Sequence, residues 1–209
     1  MVAPSPKPFN DELTALVHYG RELRTLEFKR SFSWTNRAVQ LTLAKTALAM
    51  SNIEDGGTIV VGVEERDGGL FEPVGMGAED YESFSSDDVL DFINRFADPP
   101  VEIVLSKGLI GARMFVVIQV LAFREIPTIC RRDDGPRAEL REGAIYTRPY
   151  GTPRTAEVRG QTDMREIMDR AVDKGVRRLL GRVQPLIDAR RGDTLKGALD
   201  TELEGLLDD

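Results

Sequence analysis

The stretch RELRTLEFKRSF, residues 21–32, contains the pattern that decides the fold of this 209-residue sequence. Leu26, Phe28 and Phe32 share one parity, whereas Glu27 and Lys29 share the other. Apolar and charged side chains therefore alternate with a period of two, which predicts a strand with one buried face and one charged face. Such a strand places Glu27 and Lys29 on the same side of a sheet.

Turn residues and apolar spacing around this strand predict a mixture of helices and strands. Helical patterns begin at Asn10, Asn36 and Ser86, where each polar residue can cap the first turn. Short apolar runs bounded by glycine or proline predict the remaining strands, and Asp67-Gly68-Gly69 predicts a hairpin turn. The predicted helices are 10–20, 36–52 and 86–97; the predicted strands are 25–32, 58–63, 101–105, 113–121, 127–130 and 144–148. This order favours an α+β domain.

Composition changes along the chain suggest a domain and two flanking segments. Residues 1–9 contain three prolines and are expected to form a mobile tail of the domain 1–160. Residues 161–209 have apolar side chains at helical spacing, including Met164, Ile167 and Val172, and are expected to form a helical extension. Such an extension cannot bury its own apolar face, so we expect it to pack on the domain or on a partner.

The formal net charge of −7 conceals three segments of opposite sign. Residues 21–50 contain six basic and two acidic side chains, whereas residues 51–102 contain two basic and fourteen acidic ones. Residues 103–160 are again basic, with ten Lys and Arg against six Asp and Glu. The total argues against a protein that coats nucleic acid, but the two basic segments leave selective binding open.

Composition also excludes several classes of protein. The content of 41% hydrophobic and 30% charged residues is typical of a globular chain. No apolar run reaches the roughly 20 residues that a membrane span needs, and the first residues lack the apolar core of a signal peptide. One cysteine and one histidine exclude an internal disulfide and a Cys- or His-rich zinc site. We therefore expect a cytoplasmic protein without a membrane partner, in which oxygen ligands would form any metal site.

The carboxylates of the opening stretch are candidates for chemistry on a phosphodiester. Glu22, Glu27 and Lys29 are followed about forty residues later by Glu64 and Glu65. Two or three carboxylates suit Mg²⁺ or Mn²⁺, and a neighbouring lysine can stabilise phosphate charge. The alternative is that these are surface charges, with Glu27 and Lys29 forming a weak ion pair.

Two further patterns each allow a ligand-binding and a purely structural interpretation. Gly56-Gly57 resembles a phosphate loop, but no Lys-Ser or Lys-Thr follows, so a tight turn is favoured and ATP binding is not expected. The region 131–154 combines arginine with tyrosine, a combination that suits single-stranded nucleic acid or RNA but also a solvated strand face. Its members are Arg131, Arg132, Arg137, Arg141, Arg148 and Arg154, interleaved with Tyr146 and Tyr150.

Three segments in order resemble the Schlafen AlbA-like domain family, which is also known as divergent AAA. RELRTLEFKRSF (21–32) resembles its Glu-x-x-x-x-Glu-Phe-Lys opening, and AMSNIEDGGTIVVGVEE (49–65) resembles its AFANTxGGxLLIGVDD signature with one extra residue. REGAIYTRPYGTPRTAE (141–157) resembles its YIRxGSSTRPA element. The resemblance covers roughly residues 20–160 and implies a mixed β-sheet flanked by helices.

The resemblance also implies nucleic-acid-related functions and a site. Members are described as nucleic-acid-binding, as ATP-binding, or as endoribonucleases that cut tRNA and rRNA at three carboxylates. The matching positions here are Glu22, Glu27 and Glu65, which would hold Mg²⁺ or Mn²⁺, with Lys29 at the scissile phosphate. Glu65 replaces the family's aspartate and is one methylene longer. Arg148 and Arg154 would position the backbone, and Arg30, Arg131, Arg132 and Tyr146 complete the predicted nucleic-acid-binding set.

The leading hypothesis is a nucleic-acid-binding protein that acts as a metal-dependent endoribonuclease on structured RNA such as tRNA. A non-catalytic regulator that binds DNA or RNA through the same basic surface is the alternative, and nucleotide binding ranks third. Because the mammalian relatives pair two lobes and this chain has one, we also expect a homodimer with a shared groove.

Overall fold

The computed structural model describes residues 7–135 and 139–183. Its helices are α1 (Asp11–Val17), α2 (Arg37–Ser51), α3 (Ala78–Glu82), α4 (Ser86–Asn94) and α5, for which residues 161–183 are described. Its strands are β1 (Leu26–Lys29), β2 (Gly57–Val61), β3 (Val63–Arg66), β4 (Leu70–Pro73), β5 (Ala97–Asp98), β6 (Ile103–Ile110), β7 (Arg113–Val120), β8 (Ile129–Cys130), β9 (Tyr146–Thr147) and β10 (Ala156–Glu157).

The central element is a four-stranded mixed sheet in the order β1-β2-β7-β6. β1 and β2 are parallel, with Glu27 beside Ile59, whereas β2–β7 and β7–β6 are antiparallel. A parallel pair needs a crossover, and here α2 occupies it. The mixed sheet and its helices confirm the predicted α+β class.

Alternation along the strands divides the interior into two apolar layers. Ile59 and Val61 of β2 face the layer that contains α2 and α4, whereas Val60 faces the layer that contains Val17 of α1. Leu26 and Phe28 of β1 belong to the second layer. Glu27 and Lys29 consequently point to the α2 side of the sheet, as their parity in the sequence predicts.

Glycines at the start of β2 allow a close approach between β2, β7 and α2. Gly56 has a φ of +71°, and a Cβ there would lie 2.1 Å from the carbonyl oxygen of Val120. A Cβ on Gly57 would lie 2.5 Å from the sulfur of Met50. Position 56 therefore requires glycine because the backbone of β7 is in the way, whereas Gly57 leaves room for the Met50 side chain; both agree with a tight turn.

Residues 7–9 differ from the predicted mobile tail. The backbone N–H of Phe9 donates to the Leu109 carbonyl at 3.1 Å, and the Leu109 N–H donates to the Lys7 carbonyl at 3.0 Å. These bonds attach residues 7–9 to the outer edge of β6. The prediction is wrong for these three residues because the open edge of a sheet offers hydrogen bonds that sequence patterns do not show; residues 1–6 lie outside the described part.

Smaller strand pairs and the C-terminal helix complete the described structure. β3 and β4 form the predicted hairpin, β5 pairs with β8, and β9 pairs with β10. The chain divides into one compact unit that ends at Met168 and a second that begins at Asp169. Residues 161–183 are helical, and the predicted extension over 184–209 lies outside the described residues. Within the described residues, no helix combines the length and the apolar character that crossing a membrane requires.

Candidate functional site

A cavity of about 670 Å³ on the α2 side of the sheet brings together side chains from four parts of the chain. They come from the segment that ends in β1, from α2, from the β3–β4 hairpin and from the segment 139–155. Six of the predicted site residues line it: Glu22, Glu27, Lys29, Arg30, Glu65 and Arg154. We refer to it below as the carboxylate cavity.

Glu27 forms the buried floor of the carboxylate cavity. Its side chain is only 10% exposed, and each carboxylate oxygen contacts a different cation. Oε1 accepts a hydrogen bond from the Lys29 ammonium, and Oε2 accepts one from the Arg148 guanidinium. A buried carboxylate is stable only with such partners, so Glu27 is held in one position.

Arg148 has a different role from the predicted one. It is fully buried, and its guanidinium also donates to the carbonyl oxygens of Leu23 and Pro153. The prediction that Arg148 contacts a nucleic-acid backbone is therefore wrong. Its guanidinium is fully buried and donates to groups of the protein itself, so it is out of reach of a ligand. Its contacts instead fix Glu27 to the segment 146–155.

Arg24 connects the segment before β1 to the loop that contains Arg148 and to Glu166 of α5. Its Nε donates to the carbonyl oxygen of Arg148, and its Nη2 lies 2.6 Å from Oε1 of Glu166. The same guanidinium stacks 3.8 Å from the ring centroid of Tyr150. Arg24 therefore ties the segment before β1 to the loop that contains Arg148 and Tyr150.

Glu22 lies at the edge of this floor in a partly desolvated position. Its Oε1 accepts a hydrogen bond of 2.9 Å from the backbone N–H of Phe28. Burial raises the pKa of Glu22 above its ordinary value of 4.5, and the nearby charge of Glu27 acts in the same direction. The hydrogen bond from Phe28 opposes this increase but does not cancel it.

The carboxylates of the cavity do not fit a divalent metal ion in this arrangement. Both oxygens of Glu27 already contact cations, and one oxygen of Glu22 already accepts a backbone N–H. In the ranges 7–135 and 139–183, no three Asp, Glu, His or Cys side chains are grouped so that they could hold an ion. An Mg²⁺ ion needs several oxygen ligands at about 2.1 Å, and these oxygens are engaged elsewhere.

The rim of the carboxylate cavity contains charges that have no such partners. Arg30 and Arg154 are exposed, and neither forms an ion pair with any residue of the described structure. Lys45 of α2 lies 3.2 Å from Glu139, while Glu65 on β3 is exposed. The floor is thus neutralised internally, and the rim offers two free guanidinium groups.

A comparison with known protein families covers the segments that form the carboxylate cavity. The sequence profile described as Schlafen, AlbA_2 matches residues 22–156, which is more than half of the chain and includes every side chain that lines the carboxylate cavity. The chain belongs to the Schlafen AlbA_2 family. A search of the curated proteins finds no match.

Two solved structures are similar to this chain. The DIP2311 protein from Corynebacterium diphtheriae has 16% identity and a TM-score of 0.44; the matched region covers 79% of this chain and 26% of the DIP2311 chain. This chain therefore spans about a quarter of the length of that protein. The N-terminal domain of an ATP-dependent DNA helicase RecG-related protein from Nitrosomonas europaea has 20% identity and a TM-score of 0.39, covering 63% of this chain and 84% of its own.

Other predicted nucleic-acid contacts lie away from the cavity of this Schlafen AlbA_2 domain. Tyr146 is 2% exposed and its hydroxyl accepts the N–H of Arg141, so the prediction that it stacks on a base is wrong. Arg131 and Arg132 are exposed but do not line the cavity. Arg137 lies outside the described residues.

Sequence reasoning missed several side chains of the Schlafen AlbA_2 cavity. Lys45 and Thr46 line it from α2, and Arg24 fixes the loop below it. Lys45 could have been found, because it is the only charged residue among the otherwise apolar and small side chains of 41–51. Arg24 had no such signal, since its partners are more than a hundred residues away.

Proposed function

We propose that this chain binds a nucleic acid at the carboxylate cavity and grips its phosphate backbone with the rim. The observation that supports this proposal is the pair of exposed arginines, Arg30 and Arg154, which lack an acidic partner in the described structure. Arginine presents a planar fork of donors that matches phosphate oxygens. The floor adds little repulsion, because Glu27 is neutralised by two cations.

Polar groups inside the cavity add to this grip. Thr42, Thr46 and Thr155 line it together with the partly exposed Phe71. The Thr42 hydroxyl donates to the Ala38 carbonyl and the Thr155 hydroxyl donates to Thr46, so the Thr46 hydroxyl is the one whose hydrogen can reach a ligand. Hydroxyl groups can donate to sugar or phosphate oxygens, and an aromatic edge can contact a base. The cavity therefore contains the donor types that sequence-independent backbone contacts use.

The direct test is nucleic-acid binding by rim variants, measured by fluorescence anisotropy at several salt concentrations. Arg30→Gln and Arg154→Gln should each weaken binding by about tenfold and reduce the dependence of affinity on salt. Arg124→Gln is the control, because Arg124 is exposed, does not line the cavity and already pairs with Glu102. Unchanged affinity in both rim variants, with binding by the parent chain, would show that the cavity is not the binding site.

A metal-dependent endoribonuclease is a second candidate, because Glu22, Glu27, Glu65 and Lys29 line one cavity. It requires the Glu27 carboxylate to exchange one of its two cation partners for the metal ion. It is the finer form of the same proposal, with structured RNA such as tRNA as substrate. The test is cleavage of an RNA hairpin with Mn²⁺ present, comparing the parent chain with Glu27→Gln and Glu65→Gln. Loss of cleavage in both variants supports catalysis, whereas no cleavage by the parent chain favours a non-catalytic regulator of DNA or RNA.

We also propose that two copies of the chain act together, so that their basic segments line one groove. One cavity with two free arginines is a small footprint for structured RNA, which typically requires contacts over several phosphates. Light scattering coupled to size-exclusion chromatography tests this, and a strict monomer with and without RNA would contradict it.

A further inference from the structure

Outside the carboxylate cavity, four exposed arginines are linked to Phe96: Arg37 and Arg132 lie over its ring, Arg131 bonds its backbone, and Arg95 directly precedes it in the chain. Arg37 is the first residue of α2, Arg95 is the residue that caps the end of α4, and Arg131 and Arg132 directly follow β8. All four are exposed. We call them the arginine patch. In the sequence they occupy three separate places, because only Arg131 and Arg132 are adjacent.

Aromatic stacking and one backbone hydrogen bond connect three of the four arginines to Phe92 and Phe96. The Arg37 guanidinium lies 4.7 Å from the ring centroid of Phe92, and that of Arg132 lies 5.2 Å from the ring centroid of Phe96. The backbone N–H of Arg131 donates to the carbonyl oxygen of Phe96 at 2.8 Å. Arg37 and Arg132 are thus held in place on buried rings, which reduces the entropy that they lose when they bind a ligand.

The four side chains have no acidic partner within the described part of the chain. None of them takes part in an ion pair or in a side-chain hydrogen bond there. Asp133 follows Arg132 directly, but its Oδ1 accepts the backbone N–H of Glu142 at 2.8 Å. Arg37 also stands in the first turn of α2 with no acidic residue beside it, where the helix dipole favours an anion.

A second cavity adjoins the carboxylate cavity and extends to the N-terminal end of α2, where Asn36 and Val39 line it. It has a volume of about 640 Å³ and shares Lys29 and Arg30 with the carboxylate cavity. Along the chain it continues through Ser31, Ser33 and Thr35 and ends at Asn36 and Val39. Arg37 does not line this cavity but follows Asn36 directly in the chain, so the cavity reaches the residue before the first arginine of the patch.

We infer that the arginine patch binds the phosphate backbone of the same polynucleotide that occupies the carboxylate cavity, with the strand passing through the second cavity. This inference rests on the proposed function and adds the class of ligand: a strand of several nucleotides, as opposed to a mononucleotide. The patch holds phosphates beyond the cavity, so that affinity grows with strand length until both ends are occupied.

The experiment combines strand length with patch variants of the full chain. Anisotropy is measured for a mononucleotide and for single-stranded RNA of about 4, 8 and 16 nucleotides, the range that single-strand binding sites cover. The variant Arg95→Gln/Arg131→Gln removes two charges without removing a stacked side chain. The double variant Arg113→Gln/Arg124→Gln changes net charge equally at exposed positions outside the patch and serves as the control.

The expected result is length-dependent. The parent chain should bind the longest RNA at least tenfold more tightly than the shortest, and the patch variant should lose most of this gain. Each lost phosphate contact should lower the slope of log affinity against log salt by about 0.7. The control variant should keep both the gain and the slope.

Two results would overturn the inference, and they are distinguishable. If the patch variant loses the same fraction of its affinity for short and long RNA, or loses none for either, the arginine patch is not a binding site. The carboxylate cavity remains the binding site in that case if Arg154→Gln still weakens binding. A parent chain that binds none of the RNAs rejects the proposed function and the inference together. A melting temperature of the patch variant equal to that of the parent chain excludes misfolding as the cause of a loss of affinity.

Discussion

Arg148 and Arg154 lie six residues apart in the same segment of the chain, yet their environments are opposite. Arg148 is fully buried and donates to Glu27, Leu23 and Pro153, whereas Arg154 is exposed and has no acidic partner in the described structure. The same contrast separates Glu27 from Glu65, since the first is paired on both oxygens and the second is exposed on β3. Arginine and glutamate are thus buried and paired on the floor of the cavity, and exposed and unpaired with each other on its rim.

This contrast teaches which charges are available to a ligand. Charges on the floor have been removed from water and must keep their partners, so they position the segments that surround the cavity. Charges on the rim keep their hydration and can exchange it for a phosphate group. Substitutions on the floor should therefore change stability, and substitutions on the rim should change binding.

The sharpest test of the contrast is Arg148→Met. Removal of the guanidinium leaves the Glu27 carboxylate buried with one cation instead of two, and we expect a loss of about 3–5 kcal/mol in the free energy of unfolding. Urea denaturation measures this loss. Arg154→Met is the control and should stay within about 0.5 kcal/mol of the parent chain. Similar losses for the two variants would abolish the distinction between floor and rim.

A second test concerns Asn52, which caps the C-terminal end of α2 and bonds the segment that contains Tyr146 and Arg148. Its Nδ2 donates to the carbonyl oxygens of Thr128 and Tyr146, and its Oδ1 accepts the N–H of Thr128, all at 2.8–2.9 Å. Asn52→Ala leaves these buried groups without partners and should cost about 2–3 kcal/mol.

Asn36→Ala is the control for this test. Asn36 is an exposed helix cap whose bond to Val39 is 3.4 Å long, so its replacement should cost less than about 1 kcal/mol. An Asn52→Ala variant no less stable than Asn36→Ala would show that the 146–148 segment does not depend on this residue.

The third test uses the pH dependence of stability, with a smaller expected effect. The pKa of Glu22 is raised in the folded state by burial, so the folded chain binds more protons than the unfolded chain above pH 4.5. The stabilising contribution of this carboxyl is complete below that pH and is lost as the pH rises through the folded pKa. Glu22→Gln carries no charge and should therefore gain stability relative to the parent chain on going from about pH 4 to pH 7.

Urea titrations of both proteins across this range measure the difference. Glu65→Gln, at an exposed glutamate of the same cavity, is the control. Parallel stability curves for Glu22→Gln and the parent chain would show that Glu22 is not held in a desolvated position.

The smallest expected effect belongs to Glu65 on the rim. Glu65→Gln removes a negative charge near the site of phosphate binding and should raise RNA affinity about two- to threefold in EDTA, without a measurable change in stability. Fluorescence anisotropy measures this change, with Glu12→Gln on α1 as a charge-matched control. A loss of stability beyond about 1 kcal/mol would place Glu65 on the floor instead.

Much of the fold could be predicted because it depends on local patterns. The period of two in 26–29, the short apolar run that predicts a strand at 58–63, the caps at Asn10 and Asn36, and the turn at 67–69 all appear in the structure. The long hairpin of β6 and β7 was predicted as two separate strands. The attachment of residues 7–9 to β6 was missed, since it depends on an edge formed about a hundred residues later.

The candidate site was less accessible from the sequence than the fold. Motif positions led to Glu22, Glu27, Lys29, Arg30, Glu65 and Arg154, which the structure brings around one cavity. The same reasoning treated Arg148 and Tyr146 as ligand contacts, because an arginine or a tyrosine on a short strand has no local signal of burial. It also could not join Arg37 and Arg132, whose guanidinium groups both lie over the ring of Phe96.

The sequence by itself determined the class of fold, the family and the side of the sheet on which Glu27 and Lys29 lie, because side-chain parity is a property of neighbouring residues. The tertiary structure alone decided which charges are neutralised and which are available. Glu27 acquires a second partner from Arg148, 121 positions away, and burial of that pair fixes the floor. Solvation depends on everything that packs around a group, and no local pattern contains that information.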